Sequence, residues 1–224
     1  MSTGTPRPGT PRTGTPRTVA AFDFDKTLSR RDNVVPFLAA VAGRRALLMA
    51  LVAAAPDLAR GRRNAVKAKL VRRLLAGRSE AEVVAIAGAF AADITAEHLR
   101  HDVVARAEWH RGQGHERVIV SASFACYLRP VATRLGFDAA LGTELEVGPD
   151  GLLTGALSGP NVRGAEKVQR LDAWIGDAPA TVWAYGDSTG DRDLLARADR
   201  PVRVGRERLA ASPEGASGAG RVAR

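Results

Sequence analysis

Asp23 and Asp25 stand two residues apart, where the short apolar run Thr18-Val-Ala-Ala-Phe22 gives way to polar residues. At the end of an extended strand that spacing points both carboxylates to the same side. One of them can attack an electrophile while its neighbour handles the leaving-group proton and later that of water. Two further strand ends supply matching groups: Ser121-Ala122-Ser123 offers hydroxyls, and Gly186-Asp187-Ser188-Thr189-Gly190-Asp191 offers acids. Between them Lys167 falls at an expected helix start, Gly164-Ala165-Glu166-Lys167. Four acids, a lysine and hydroxyls converging on one place are costly unless a cation or charged ligand joins them. Phosphoryl transfer fits this set. A carboxylate nucleophile and a phosphate dianion repel, so the reaction needs a hard cation. Mg²⁺ on Asp23, the backbone carbonyl of Asp25 and Asp187 would meet that need. Lys167 adds a fixed positive charge, and the hydroxyls of Thr27 and Ser121 can bond the transferring oxygens.

The elements that must position these groups follow from pattern. The Pro/Gly-rich repeat GTPRPGTPRTGTPRT at 4–18 has nothing to bury, and residues 1–17 are expected to form a disordered tail. Order is expected from Val19, in a buried strand. Residues 34–105 then read as four consecutive helices: a long one over Val34 to Ala55 stopped by Pro56, and one from Asn64 to Gly77. A third follows a capping box at Ser79-Glu-Ala-Glu82, and a fourth runs from about Thr95 to Arg111. Strand and helix texture returns with strands at 117–121, 137–141, 181–185 and 202–204, and helices at 127–135, 165–175 and 191–197. A hairpin is expected over 144–157, turning at Pro149-Asp150-Gly151. Such alternation predicts an α/β fold: a doubly wound parallel sheet built from residues 18–33 and 106–204, interrupted by a helical cap over 34–105. Residues 205–224, rich in Ala, Ser and Gly, are expected to be a flexible tail. Ligands of such sheets bind at the carboxyl ends of the strands, where the acids above fall.

The four segments together resemble the motifs of the haloacid-dehalogenase-like (HAD) hydrolases. They read Asp23-Phe-Asp25-Lys-Thr27, Val118-Ile-Val-Ser121, Lys167, and Gly186-Asp187-Ser-Thr-Gly-Asp191, in the family's order and spanning most of the chain. The resemblance implies a Rossmann-like core, Asp23 as nucleophile forming an aspartyl-phosphate, and Asp25 as general acid/base. It also implies Asp187 as metal ligand and Asp191 in support of the metal and of Lys167. The helical insert, with SRRDNVVPFL, SASFACYLRP and YGDSTGDRDLL, resembles the phosphoserine-phosphatase-like branch (subfamily IB). That branch usually carries Ser-Gly-Gly where this chain has Ser121-Ala122-Ser123, and a Glu near the start of the cap where Asp32 stands. Asp32 and Ser123 are therefore expected to contact substrate, and both changes count against phosphoserine itself.

The net charge of +9 is uneven. Residues 34–105 hold eleven Lys/Arg against six acids, whereas the expected core is close to neutral. The run Arg60 to Arg73 alone carries seven cations and no acid. A solvated helix face, a grip on a second anionic group of the substrate, or weak contact with an anionic membrane through the cap would each use it. No aromatic set interleaves with these cations, so no specific nucleic-acid binding is expected. A phosphatase acting on phospholipid head groups, and a basic binding protein without catalysis, are the alternatives to hydrolysis of a small phosphorylated metabolite. Walker A and Gly-x-Gly-x-x-Gly patterns are absent from the sequence. A single cysteine, Cys126, and no apolar leader lead to the expectation of a cytoplasmic protein, with Cys126 in a packing role. The four histidines are expected to bind no metal, because no carboxylate or cysteine cluster completes a site around them.

Overall fold

The computed structural model describes residues 17–213. In chain order the elements are β1 (Arg17–Phe22), α1 (Val34–Ala42), α2 (Arg44–Ala59), α3 (Arg63–Leu75), α4 (Glu80–Glu97), α5 (His101–Gly112) and β2 (Glu116–Phe124). There follow α6 (Ala125–Arg134), β3 (Ala139–Thr143), β4 (Leu145–Val147), β5 (Leu153–Leu157), α7 (Ala165–Ile175), β6 (Ala180–Gly186), α8 (Arg192–Arg197) and β7 (Arg200–Arg203). Five strands form one parallel sheet in the order β3-β2-β1-β6-β7, and β4 pairs with β5 as the expected antiparallel hairpin.

β1 lies in the middle and from Val19 to Phe22 is apolar and buried, because helices cover both faces of the sheet. Its side chains alternate between two cores. Val19 and Ala21 join Val118, Val120 and Val182 under Leu171, Ile175 and Leu194 of α7 and α8. Ala20 and Phe22 face the other way, into the larger core shared with Ile119, Tyr185, Val103, Ala107 and Leu128. The order of strands reverses at β1, with β2 on one side and β6 on the other. The crevice above their carboxyl ends is where such a sheet opens a site.

Several expected boundaries move, each for a local reason. Arg17, placed in the tail, is the first residue of β1; its guanidinium donates to Glu116 and to the Ile175 carbonyl. Residues 205–213, expected to be flexible, are tied down instead. Arg100 donates to the carbonyls of Gly205 and Glu207, Arg106 to those of Ala210 and Ala211, and Leu209 N–H donates to Asp102. The remaining tail residues, 1–16 and 214–224, lie outside the described residues.

The helix expected over 34–55 is two helices. Gly43 adopts φ +85°, a conformation open to glycine, and turns the chain between α1 and α2. Pro56 does not stop α2, which packs Leu47, Ala50, Ala54 and Asp57 inward and continues to Ala59. Thr95 does not start a helix; its hydroxyl donates to the Ala91 and Ala92 carbonyls inside α4. The capping box at Ser79 does not form, because Ser79 bridges to Leu152 and Glu82 pairs with Arg78. α5 straddles the expected boundary at 105 and packs against β2.

The hairpin meets α3 at Gly155, which has φ +84°. A Cβ there would lie 2.7 Å from Ala76 Cβ and 3.1 Å from Arg72 Cα, whereas Gly151 at φ +75° has open space around it. Gly155→Ala is expected to cost about 3 kcal/mol, from left-handed strain plus overpacking. Gly151→Ala should lose only the backbone part, about 1 kcal/mol. Urea unfolding midpoints of the two variants test the difference.

Candidate active site

The three strand ends and the start of α7 converge as the spacing required. Asp23 follows β1 directly, held by its N–H to the Tyr185 carbonyl at 2.8 Å, and its side chain is buried. The chain then makes a tight loop over 24–28. Lys26 there has φ +61°, the only positive φ of a non-glycine among the described residues. That strain, about 1 kcal/mol, puts a cation on the rim of the cavity.

Lys167 sits in the first turn of α7 and is 2% exposed. Its ammonium lies 2.5 Å from Asp23 Oδ1 and 2.5 Å from Asp191 Oδ1. Asp191 in turn accepts from Ser188 N–H at 2.9 Å and from Ser188 Oγ at 2.8 Å, closing a capping box over the turn after β6. Gly186 allows this approach: a Cβ there would fall 2.5 Å from that of Asp191. Burial opposes charge on Lys167, yet the two carboxylates outweigh it and raise its pKa. Burial likewise pushes Asp191 up, but Lys167 and Ser188 hold it below the usual carboxylate range. Asp23 is raised by burial, with Lys167 opposing. Asp187, half-buried, is raised by burial and by Asp191.

Asp25 has a separate environment. Its Oδ1 accepts from Asn33 N–H at 3.0 Å and from Asn33 Nδ2 at 2.7 Å, and its Oδ2 accepts from Ser123 Oγ at 2.6 Å. Burial and the Asp32 charge still raise it to about 7. Asn33, fully buried, also bonds Ser29 and the Arg31 carbonyl. Sequence reading passed over it; the available signal was a polar pair, Asp32-Asn33, directly before an apolar helix.

A cavity of about 300 Å³ opens above these groups, lined by Asp23, Asp25, Asp32, Ser121, Lys167, Asp187 and Asp191. Two of the expected substrate contacts, Thr27 and Ser123, do not line this cavity. Thr27 is fully buried away from the cavity, with no partner for its hydroxyl among the described residues. Ser123 is also buried and does not line the cavity; its hydroxyl donates to Asp25. Arg163, a second cation just before α7, lines the cavity, but the carboxylates of Asp23 and Asp191 pair with Lys167.

The acids suit a hard cation. Oxygens of Asp23, Asp187 and Asp191 lie within 4.8 Å of one another, and of the three only Asp23 and Asp191 pair with Lys167. Carboxylate oxygen is the donor type that Mg²⁺ prefers. Asp25, by contrast, spends its carboxylate on Asn33 and Ser123 and stays outside this group. The structure also gathers Asp93, Glu97 and His98 at the surface, a cluster the sequence reading did not expect. There Arg31 already pairs with Asp93. His110 is a core histidine, bonded to Tyr185 and His115 and lowered to about 3 by burial. Burial pushes the Cys126 thiol up to about 12, in keeping with a packing role.

From the helices comes Lys67, the one member of the basic run that is buried. Its ammonium donates to the Ala122 carbonyl and to Asn161 Oδ1, and it lines the cavity beside Arg63. Burial lowers it to about 7. Between pH 7 and the ordinary lysine range the unfolded chain binds the proton that the folded chain has released, so this group's contribution to stability rises with pH across that window. For an anionic substrate the charged form, present below pH 7, is the binding one. KM is therefore expected to climb about tenfold above pH 7, while the separate loss of the Asp25 proton near pH 7 acts on kcat. Lys67→Arg should flatten the rise, and Lys67→Met should raise KM at every pH. Steady-state kinetics from pH 6 to pH 9 check this.

Comparison with known proteins agrees with this geometry. Residues 20–196 match the model of the family described as haloacid dehalogenase-like hydrolase. Protein CicA of Caulobacter vibrioides is 39% identical over 199 residues, covering 86% of this chain and 88% of CicA. A phosphoserine phosphatase of Mycobacterium tuberculosis is 30% identical over 203 residues, covering 83% of this chain and 64% of its own. Among solved structures, a Bordetella pertussis protein of unknown function superposes with TM-score 0.71 at 24% identity, over 84% of this chain and 90% of that one. A phosphoserine phosphatase solved as a phospho-aspartyl intermediate analogue gives 0.55 at 21%, over 82% and 84%. Two carboxylates on one strand end, a buried lysine between acids and a match over most of the chain lead to one assignment: the protein belongs to the haloacid dehalogenase-like hydrolases.

Proposed function

We propose that the chain hydrolyses phosphate monoesters in two steps through Asp23. The observation that carries this is the contrast between neighbouring carboxylates. Asp23 rests against Lys167, whereas Asp25 is fixed by Asn33 and Ser123 and holds a proton up to about pH 7. Paired acids in unlike surroundings are how acid and nucleophile roles divide.

In the first step an Asp23 oxygen forms a bond to phosphorus as the ester P–O bond breaks. Asp25 gives its proton to the departing alkoxide, which leaves as the alcohol. In the second, Asp25 takes a proton from water, the water oxygen attacks phosphorus, and the bond to Asp23 breaks. Phosphate leaves, and both carboxyls return to their starting states. Lys167 and Ser121 line the cavity where they can bond the phosphoryl oxygens. Asp23, Asp187, the backbone carbonyl of Asp25 and, in support, Asp191 would hold Mg²⁺, which when bound lends Lewis-acid stabilisation to the transferring group.

The substrate in this reading is a phosphomonoester whose phosphorylated end is small enough for the cavity. A cavity of about 300 Å³ admits a compact ester, and its far wall mixes cations, Arg63 and Lys67, with Val34, Val35, Leu58 and Val66. Relatives named phosphoserine phosphatase support the reaction class. Ala122-Ser123 and Asp32 differ from what that branch usually carries and leave the alcohol part to be found.

Asp23→Asn is expected to lower kcat by about 10³-fold or more, with the fold intact by circular dichroism. EDTA should silence the wild-type protein and added Mg²⁺ restore it. A screen of phosphorylated metabolites for phosphate release measures both effects; equal turnover by wild type and Asp23→Asn would refute the proposal.

A further inference from the structure

The helices between β1 and β2 leave part of their apolar surface uncovered. On α2, Leu48, Met49 and Val52 are 61%, 69% and 62% exposed. With Ala55 and Pro56, also exposed, they fall on one helical face, opposite Leu47, Ala50 and Ala54, which are buried. Large apolar side chains grouped this way on a surface mark a place where something binds.

The charge around the stripe indicates what that is. Residues 34–75, which make up α1 to α3, carry nine Lys/Arg against one acid, Asp57. These three helices therefore carry a net charge of about +8 of the protein's +9. Arg44 and Arg45 stand at one end of α2, and Arg60, Arg62 and Arg63 at the other. Asp57 is already neutralised by Lys69. A second copy of this chain would bring nine cations against nine, which repel. A helix with an apolar face and cationic ends is suited instead to the boundary of an anionic bilayer, its apolar side chains in the acyl region and its guanidinium groups among the phosphates. No helix among the described residues is long and apolar enough to cross a membrane.

The end of α2 also reaches the active site. Leu58, on the last turn of α2 and 59% exposed, lines the catalytic cavity together with Val35, Val66 and Arg63. We propose that α2 docks on an anionic lipid surface and sets the cavity rim at the lipid–water boundary, where the substrate is a phosphomonoester carried on a lipid. The substrate part of this inference rests on the phosphatase reading above; the docking part does not.

Vesicle co-sedimentation separates the two. The full chain is expected to bind phosphatidylcholine vesicles containing phosphatidylglycerol about tenfold or more tighter than phosphatidylcholine alone. The double variant Leu48→Glu/Val52→Glu, at exposed positions outside the cavity, should lose that gain, and Asp23→Asn should keep it. With Mg²⁺, the double variant should hydrolyse soluble p-nitrophenyl phosphate like wild type but phosphatidic acid in vesicles about tenfold more slowly. Absence of vesicle binding, or binding that survives Leu48→Glu/Val52→Glu, overturns the docking. So does a dimer in light scattering that the double variant dissolves, since a second copy would then be the occupant. Vesicle binding without hydrolysis of phosphatidic acid overturns the lipid substrate. If p-nitrophenyl phosphate is also inert, the phosphatase reading falls with it while the docking stands.

Discussion

A single ammonium group, that of Lys167, sits at 2.5 Å from the carboxylates of both Asp23 and Asp191 in a place that water barely reaches. Removing three charges from water is expensive, and their mutual attraction offsets that cost only when distance and hydrogen bonding are good. The surrounding structure supplies those conditions. Gly164 starts α7 at φ +61° and donates its N–H to the Gly190 carbonyl, which sets Lys167 opposite Asp191. Ser188 saturates the second oxygen of Asp191, and glycine at 186 lets the turn close. Asp23 arrives from the middle strand of the sheet. With Asp187, three carboxylates crowd within 4.8 Å around one buried ammonium, a donor set that suits a divalent cation.

Around this centre the two neighbouring acids are kept distinct by what touches them. Asp23 meets a cation. Asp25 meets an amide and a hydroxyl, both neutral, and feels Asp32 as well, so it holds its proton into the neutral range. A phosphatase acting through a carboxylate needs this asymmetry, because one acid must be free to bond phosphorus while the other delivers a proton. Ser123 and Asn33 achieve it without touching the cavity themselves, from the next strand and from the residue before α1.

The helices between β1 and β2 answer a different need. They close the cavity with Lys67 and Arg63, whose charges suit an anionic ligand, and with valine and leucine side chains that suit an apolar one. Their packing is held by α3 against β5 and α4 against α6, so the cap is integrated with the sheet rather than hung beside it. The exposed face of α2 is a part of this assembly that no other described residue covers.

Much of the centre was legible in the residues. Asp23-x-Asp25, Ser121, Lys167 and Asp187…Asp191 are short motifs whose positions at strand ends and a helix start follow from local apolar runs and from glycine. The parallel sheet follows from the alternation of strand and helix. Ser123 and Thr27 show where such reading stops. Both are hydroxyls beside the motifs, yet one faces Asp25 and the other is sealed in the core, because which way a side chain turns depends on the packing of neighbouring strands and loops. Pro56 and Thr95 mislead as helix boundaries, and Gly43 passes unnoticed as one, for a similar reason. A break, a tolerated proline and a back-bonded hydroxyl are decided by the faces the helices must bury. The sequence alone thus determined the chemistry, since acids, lysine and their spacing are local properties. Tertiary structure decided which groups share the pocket, the buried state of Lys67, the role of Asn33 and the uncovered face of α2, because each depends on contacts between residues far apart in the chain.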